Sequence, residues 1–209
     1  LLRLKRGWRP LSEIALVVRP MFEPPGVVAE AGGSVSLRVM LPTAIPALTA
    51  LQALRIAGLL RARGEKVAVA DGATGGLIAA SLLTVPGALD FFVGGGVVYS
   101  FRARDVLFAL PRDAYKGMRG ASEDYAMLQA RAIRDNFGAE WGLAESGSVG
   151  GSSHPSGAPA GQSVAAIAAP GGVTITRVIE TGSDDRIANM ADFTRNALDA
   201  FEDALRAAD

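Results

Sequence analysis

The 209-residue sequence contains no cysteine, which excludes a disulfide framework, thiolate chemistry and cysteine-ligated metal, and fits a reducing compartment. It contains one histidine, His154, so a histidine-built metal centre lacks convergent ligands, and no metal is expected. Standing among Gly151, Ser152, Ser153, Pro155 and Gly157, His154 reads as a solvated loop residue. Net charge is missing too: 21 basic and 21 acidic residues cancel, and no global field draws the chain to nucleic acid or an anionic membrane. No apolar run reaches the roughly 18 residues of a membrane span, because Arg55, Arg61 and Arg63 interrupt the most hydrophobic helical stretch. What is present is the composition of a soluble globular protein, 49% hydrophobic, with enough apolar surface for one ordinary domain plus an extension. Abundant alanine, glycine and arginine point to a GC-rich genome, bacterial or algal, and leave bacterial cytoplasm and an organelle matrix both open as the compartment.

Residues 1–45 read as an irregular N-terminal arm. They hold five of the eleven prolines, Pro10, Pro20, Pro24, Pro25 and Pro42, which break helices and favour extended segments. Ile14–Val18 and Val35–Leu41 are candidate short strands within it, and the basic stretch Leu1–Arg9 reads as a surface tail or the remnant of a targeting segment. From residue 46 to 209 the pattern is orderly and predicts one domain. Leu48, Leu51 and Leu54 recur at helical spacing and Gly64 suits a cap, so a helix is expected over Pro46–Arg63, followed by a strand at Lys66–Ala70 and a second helix over Thr74–Leu83. Phe91–Ser100 should supply a buried strand, with a bulge or close backbone approach at Gly94 to Gly96. Ser122, Glu123 and Asp124 start a helix whose inner face is Ala126, Ala130, Ile133 and Phe137. Strand Trp141–Glu145 leads into a long flexible loop over 146–161. Strands Gln162–Ala168 and Val173–Glu180 flank a turn and form a hairpin. A last helix begins near Asp185, with Ile187, Met190, Thr194, Ala197, Leu198, Phe201 and Leu205 on one stripe. This alternation predicts an α/β fold, a three-layer sandwich with a mixed sheet.

The segment richest in chemistry is Val67–Gly76, an apolar run that breaks into a glycine turn and opens a helix. Backbone N–H groups and the helix dipole converge at such a turn, which can cradle a phosphate. At its tip stand Gly72 and Ala73, neither of which carries a reactive side chain.

These landmarks resemble the CinA C-terminal domain family, the nicotinamide-nucleotide amidohydrolases that deamidate nicotinamide mononucleotide. The family's A-E-S-C-T-G-G corresponds to Ala70-Asp71-Gly72-Ala73-Thr74-Gly75-Gly76. Its Y-S-N-E-A-K corresponds to Tyr99-Ser100-Phe101-Arg102-Ala103-Arg104, and its G-A-V-S-E to the segment ending Gly120-Ala121-Ser122-Glu123. Ser146-Gly147-Ser148-Val149-Gly150-Gly151 answers S/T-G-I-A-G-P, and Ala158 to Val164 answers K-P-V-G-T-V. The resemblance covers about residues 46–208 and implies a CinA C-terminal domain-like fold. By the same resemblance the nucleophilic serine falls on Gly72 and the lysine on Arg104, a side chain that stays protonated and is useless as a general base. In the family's G-D-R-x-x-V-R segment, Asp184 and Ala188 stand at the two arginine positions, although a one-residue slip lets Arg186 serve.

The leading expectation is therefore a pseudoenzyme: a catalytically inactive relative of nicotinamide mononucleotide deamidase with no catalytic residue at Gly72 or Arg104 and no cofactor. It would serve as a structural or accessory subunit in a hetero-assembly, or form a homo-oligomer. Two alternatives stand beside it. One is an active amidohydrolase using Thr74, Ser100 or Ser148. The other is a non-catalytic nucleotide binder or sensor whose site would comprise Thr74, Gly75, Gly76, Tyr99, Ser100, Arg102, Arg104, Ser146 and Gly147. In its bland reading Tyr99 is a buried ring filling a core edge.

Overall fold

A computed structural model describes residues 44–152 and 154–208. Residues 1–43 of the arm, with its two candidate strands Ile14–Val18 and Val35–Leu41, lie outside the described residues, and its last two residues belong to the first helix. Five helices and five strands run in the order α1 (Ala44–Arg63), β1 (Val67–Asp71), α2 (Leu77–Leu83), β2 (Phe92–Val97), α3 (Phe101–Phe108), α4 (Glu123–Phe137), β3 (Trp141–Ser148), β4 (Gln162–Ala168), β5 (Thr174–Glu180) and α5 (Arg186–Ala207). The strands form one mixed sheet in the order β2-β1-β3-β4-β5. β1 pairs in parallel with β2 and β3, while β4 pairs antiparallel with both β3 and β5.

Strand alternation divides the core between two faces. Val67, Val69, Trp141, Leu143, Ala165 and Ile167 pack with Ile56 and Leu60 of α1, Ile78 and Leu82 of α2, and Leu198, Phe201 and Leu205 of α5. Ala68, Ala70, Ala144, Val164, Ala166 and Ala168 pack with Phe108 of α3 and Ala126, Ala130 and Ile133 of α4. The result is the expected three-layer α/β sandwich. The small alanines on the second face let α4 lie close to the sheet. On the first face the Trp141 and Phe201 rings meet edge to face at 5.7 Å, and Trp141 Nε1 donates to Glu65 at 2.6 Å.

Local chemistry explains most boundaries. Ser122 Oγ accepts from Tyr125 N and caps α4, and Asp185 accepts from Ile187 N and Ala188 N to cap α5. Four expectations need correction. Leu51 and Leu54 are exposed, and Ala53, Ile56, Ala57 and Leu60 turn inward instead, because apolar residues occur all round α1 and spacing alone does not select a face. Ile187, assigned to the buried stripe of α5, is exposed in its first turn. The strand expected over Phe91–Ser100 is neither buried nor so long: β2 is an edge strand that stops at Val97, with Val93 and Val97 exposed. Its glycines behave as expected, since Val67 pairs with Phe92 but Ala68 with Gly94, and a Cβ on Gly95 would stand 2.0 Å from the Val69 carbonyl oxygen. Finally, the supposed loop over 146–161 begins as strand, because Ser146 to Ser148 pair with Val164 to Gln162. No helix among the described residues is long and apolar enough to cross a membrane.

Candidate ligand-binding site

Strand order reverses direction between β1 and β3: the chain leaves β1 for β2 on one side and later returns to β3 on the other. A crevice opens beyond the carboxyl ends of strands at such a point. Here it is a cavity of about 810 Å³, bounded by the turn after β1, the end of β3, the start of α3, the loop before α4 and residues 148–152 and 154–156.

The turn does not offer the free phosphate cradle that its sequence suggested. Asp71, buried at the end of β1, accepts from Thr74 Oγ1 at 2.7 Å, Ile78 N at 3.0 Å and Ala79 N at 3.2 Å. The carboxylate at the start of α2 is thus the chain's own. Glu145 of β3, fully buried, accepts from Thr74 N at 2.9 Å and from Ser163 Oγ at 2.5 Å. Burial pushes the Glu145 carboxyl up to about 7 against the opposing pull of its Ser163 and Thr74 hydrogen bonds. Asp71 is raised as well, by burial, despite its Thr74, Ile78 and Ala79 hydrogen bonds. Gly72 passes so near β3 that a Cβ there would stand 2.3 Å from the Glu145 carbonyl oxygen. Position 72 therefore has no room for any side chain in this backbone.

The opposite wall is cationic and aromatic. The Arg104 guanidinium lies over the Tyr115 ring at 3.7 Å and the Phe101 ring at 4.9 Å, and pairs with Asp105 at 2.9 Å. Its pKa is raised although burial acts the other way, because Asp105 and Tyr125 favour the charged form. Arg119 and Arg186 complete three arginines in the lining, which includes no Asp or Glu. Arg186 Nη1 donates to Gly150 O at 3.2 Å. Of the lining residues, Tyr115 has a hydroxyl and Gln129 an Oε1 that are buried and have no hydrogen-bond partner among the described residues. They leave one donor and one acceptor for a bound molecule.

His154 is not the solvated loop residue expected. It is half-buried in the cavity lining, its Nδ1 2.7 Å from Ser156 Oγ, which also donates to Gly120 O at 2.9 Å. Burial lowers its pKa and favours the neutral ring. Among the described residues no three His, Asp or Glu side chains converge as a metal site.

Of the residues singled out in the sequence, Gly72, Ala73, Gly75, Tyr99, Ser100, Arg104, Ser146, Gly147 and Ser148 meet at the cavity. Thr74, Gly76 and Arg102 are not in its lining: Thr74 is buried beneath the turn, Gly76 (φ 97) precedes α2, and Arg102 points to solvent. Tyr99 is 80% exposed at the rim rather than a buried core ring. Ser100 Oγ caps α3 by accepting from Ala103 N, and Ser146 Oγ holds Ala121 N at 3.0 Å. The sequence reading missed Tyr115, Arg119, Gln129 and the buried Glu145. Tyr125 and Gln129 carry the one usable signal, a polar pair spaced four apart on the otherwise apolar face of α4. Arg186, which the slip in the last motif allowed, is in the lining.

Residues 50–205 match the CinA C-terminal domain family. The chain is 36% identical over 129 residues to a CinA-like protein of Myxococcus xanthus, which covers 61% of this chain and 31% of that protein. A CinA-like protein of Anaeromyxobacter is 33% identical over 147 residues, 70% of this chain and 36% of that one, so the match spans about a third of these relatives' length. The crystal structure of a competence-damaged protein (CinA) superfamily protein from Klebsiella pneumoniae superposes with a TM-score of 0.70 at 26% identity, covering 76% of this chain and 98% of that one. A homologous structure from Enterobacter cloacae gives 0.69 at 25% identity, covering 75% and 92%.

Proposed function

The chain belongs to the CinA C-terminal domain family, and from that premise we propose that it binds a small anionic ligand of the nucleotide class in the crevice beyond β1 and β3 without deamidating it. The observation that carries the reading is the closed backbone contact at Gly72. Where the resemblance puts a nucleophilic serine, a Cβ would stand 2.3 Å from a main-chain oxygen, so the attacking group is absent and its space is filled. The lysine position, Arg104, is held protonated between two rings and Asp105 and takes no proton from a nucleophile. Thr74, a candidate replacement hydroxyl, donates to Asp71 beneath the turn and is outside the cavity lining.

Binding is supported by what the cavity keeps. Arg119 and Arg186 suit a phosphate by charge-assisted hydrogen bonds. The unpartnered Tyr115 hydroxyl and Gln129 carbonyl oxygen suit a group that accepts one hydrogen bond and donates another, as a carboxamide does. Calorimetric titration with nicotinamide mononucleotide tests this. Saturable binding that Arg119→Ala and Arg186→Ala each weaken about tenfold is expected, and absence of heat at millimolar ligand would overturn it.

A second reading, that the domain serves as a subunit of a protein assembly, is favoured by the apolar surface along edge strand β2 and helix α3. Tyr99, Phe101 and Val106 are 80%, 72% and 73% exposed there. Native mass spectrometry of the particle purified from its own cells tests it: a hetero-assembly supports this reading, and a lone chain removes it.

A further inference from the structure

Glu145 stands on β3, four residues after Trp141, with its side chain on the face covered by α2 and α5. The charged group that acts on its carboxyl is Asp71 of β1, and the partners that bond it are Thr74 of the turn and Ser163 of β4. The residues that α2 buries are Ile78, Ser81 and Leu82, and α5 buries Asn189, Phe193 and Thr194 at its near end. Glu202, also buried on α5, lies about 20 Å along the helix from Asn189 and is neutralised by Arg55 and Arg206. Two buried carboxyls therefore sit together, and no cation among the described residues acts on either. Two glycines of the cavity lining lie against the Glu145 carboxylate. Gly72 and Gly147 both line the cavity, and a Cβ on Gly147 would stand 2.7 Å from Glu145 Oε1, one on Gly72 3.3 Å from Oε2.

Building on the anion-binding reading above, we propose that Glu145 is a positioning residue of the crevice, which holds Thr74 N–H and so fixes the turn that floors the cavity, and whose charge opposes an anion bound across that turn. Proton uptake at Glu145 removes its negative charge from behind the floor while Ser163 and Thr74 keep the carboxyl in place. Anion affinity then rises on acidification. Two unit charges on the order of 8 Å apart, at an effective dielectric near 20 and in moderate salt, would repel by an amount that corresponds to roughly tenfold in affinity.

The test is an equilibrium titration with inorganic sulfate, which keeps its charge across the range, at about pH 5.5 and about pH 8.5. It is run on the full chain carrying His154→Gln, so that the titrating histidine in the cavity wall does not contribute. The expected result is about tenfold tighter binding at the lower pH. Adding Glu145→Gln should flatten the profile near the low-pH affinity. Ser163→Ala, which removes a hydrogen bond to the charged form, should move the fall in affinity to higher pH and serves if Glu145→Gln does not fold. A flat profile in the starting protein, or an unchanged slope with both substitutions, overturns the role of Glu145 and leaves the anion site standing. Absence of sulfate binding at either pH overturns the anion-site reading and this inference together.

Discussion

Replacing Gly72 by serine would place a Cβ 2.3 Å from the Glu145 carbonyl oxygen, so β1 or β3 would have to move. Gly72→Ser is expected to lower stability by about 1–3 kcal/mol, measurable by chemical denaturation, and to leave nicotinamide mononucleotide undeamidated. Recovery of deamidation by this one change would contradict the account of the site. Glu145 makes a second prediction at this scale. Burial pushes its carboxyl up to about 7 from the ordinary 4.5, so between those values the folded state holds more proton than the unfolded chain. The contribution of Glu145 to stability is fully present below about 4.5, falls as pH rises through this window and is gone above about 7, a change of order 3 kcal/mol. Asp71 adds in the same direction. His154, lowered by burial, acts with the opposite sign, and Glu202, lowered chiefly by its Arg55 hydrogen bond, loses its contribution only in acid. Denaturation at a series of pH values should show the decline in wild type and a smaller one, that of Asp71, in Glu145→Gln. At this scale the absence of a nucleophile at Gly72 was legible in the sequence, whereas Glu145 was not. A single acid at the end of an apolar strand looks like a strand terminus until Ser163, eighteen positions after Glu145 in the chain, is known to lie beside it on β4.

At the scale of elements, helix α3 shows why part of the site was hidden. It carries Arg104 and borders the cavity, yet it is only 8 residues long and ends at Ala109, which adopts φ 50 where a glycine would signal a cap. Neither its length nor its stop is marked, and the preceding glycines blend into an apparent strand. Ala109→Gly should relieve the left-handed strain and raise stability by about 1 kcal/mol, seen as a higher melting temperature with Arg104 unmoved. A fall in melting temperature would contradict this description of the cap. By contrast, α4, α5 and the β4–β5 hairpin were readable because Ser122, Asp185 and the Pro170-Gly171-Gly172 turn mark their ends. Their apolar faces also follow one period. The exposed Leu51 and Leu54 of α1 mark the limit of that reasoning: an all-round apolar helix has a period but no unique face.

At the scale of the molecule, the three-layer sandwich and its mixed sheet followed from the order of elements, while the cavity did not, because its wall is gathered from segments as distant as Gly72 and Arg186. Arg104, Arg119 and Arg186 give a net-neutral chain a locally cationic crevice. Binding should accordingly weaken with added salt. A bound anion at a hundred times its dissociation constant should stabilise the fold by about 2.7 kcal/mol, some 5–10 °C in melting temperature for a domain of this size. Thermal melts with and without nicotinamide mononucleotide check this, and an unchanged melting temperature in Arg119→Ala with Arg186→Ala is the matching control. The central claim, binding without turnover, is tested most directly by recording the NMR spectrum of nicotinamide mononucleotide over hours with the purified protein. The account predicts broadened or shifted ligand resonances and no growth of the deamidated product. Product that accumulates with wild type and ceases with a cavity substitution, or a ligand spectrum untouched by the protein, would contradict it.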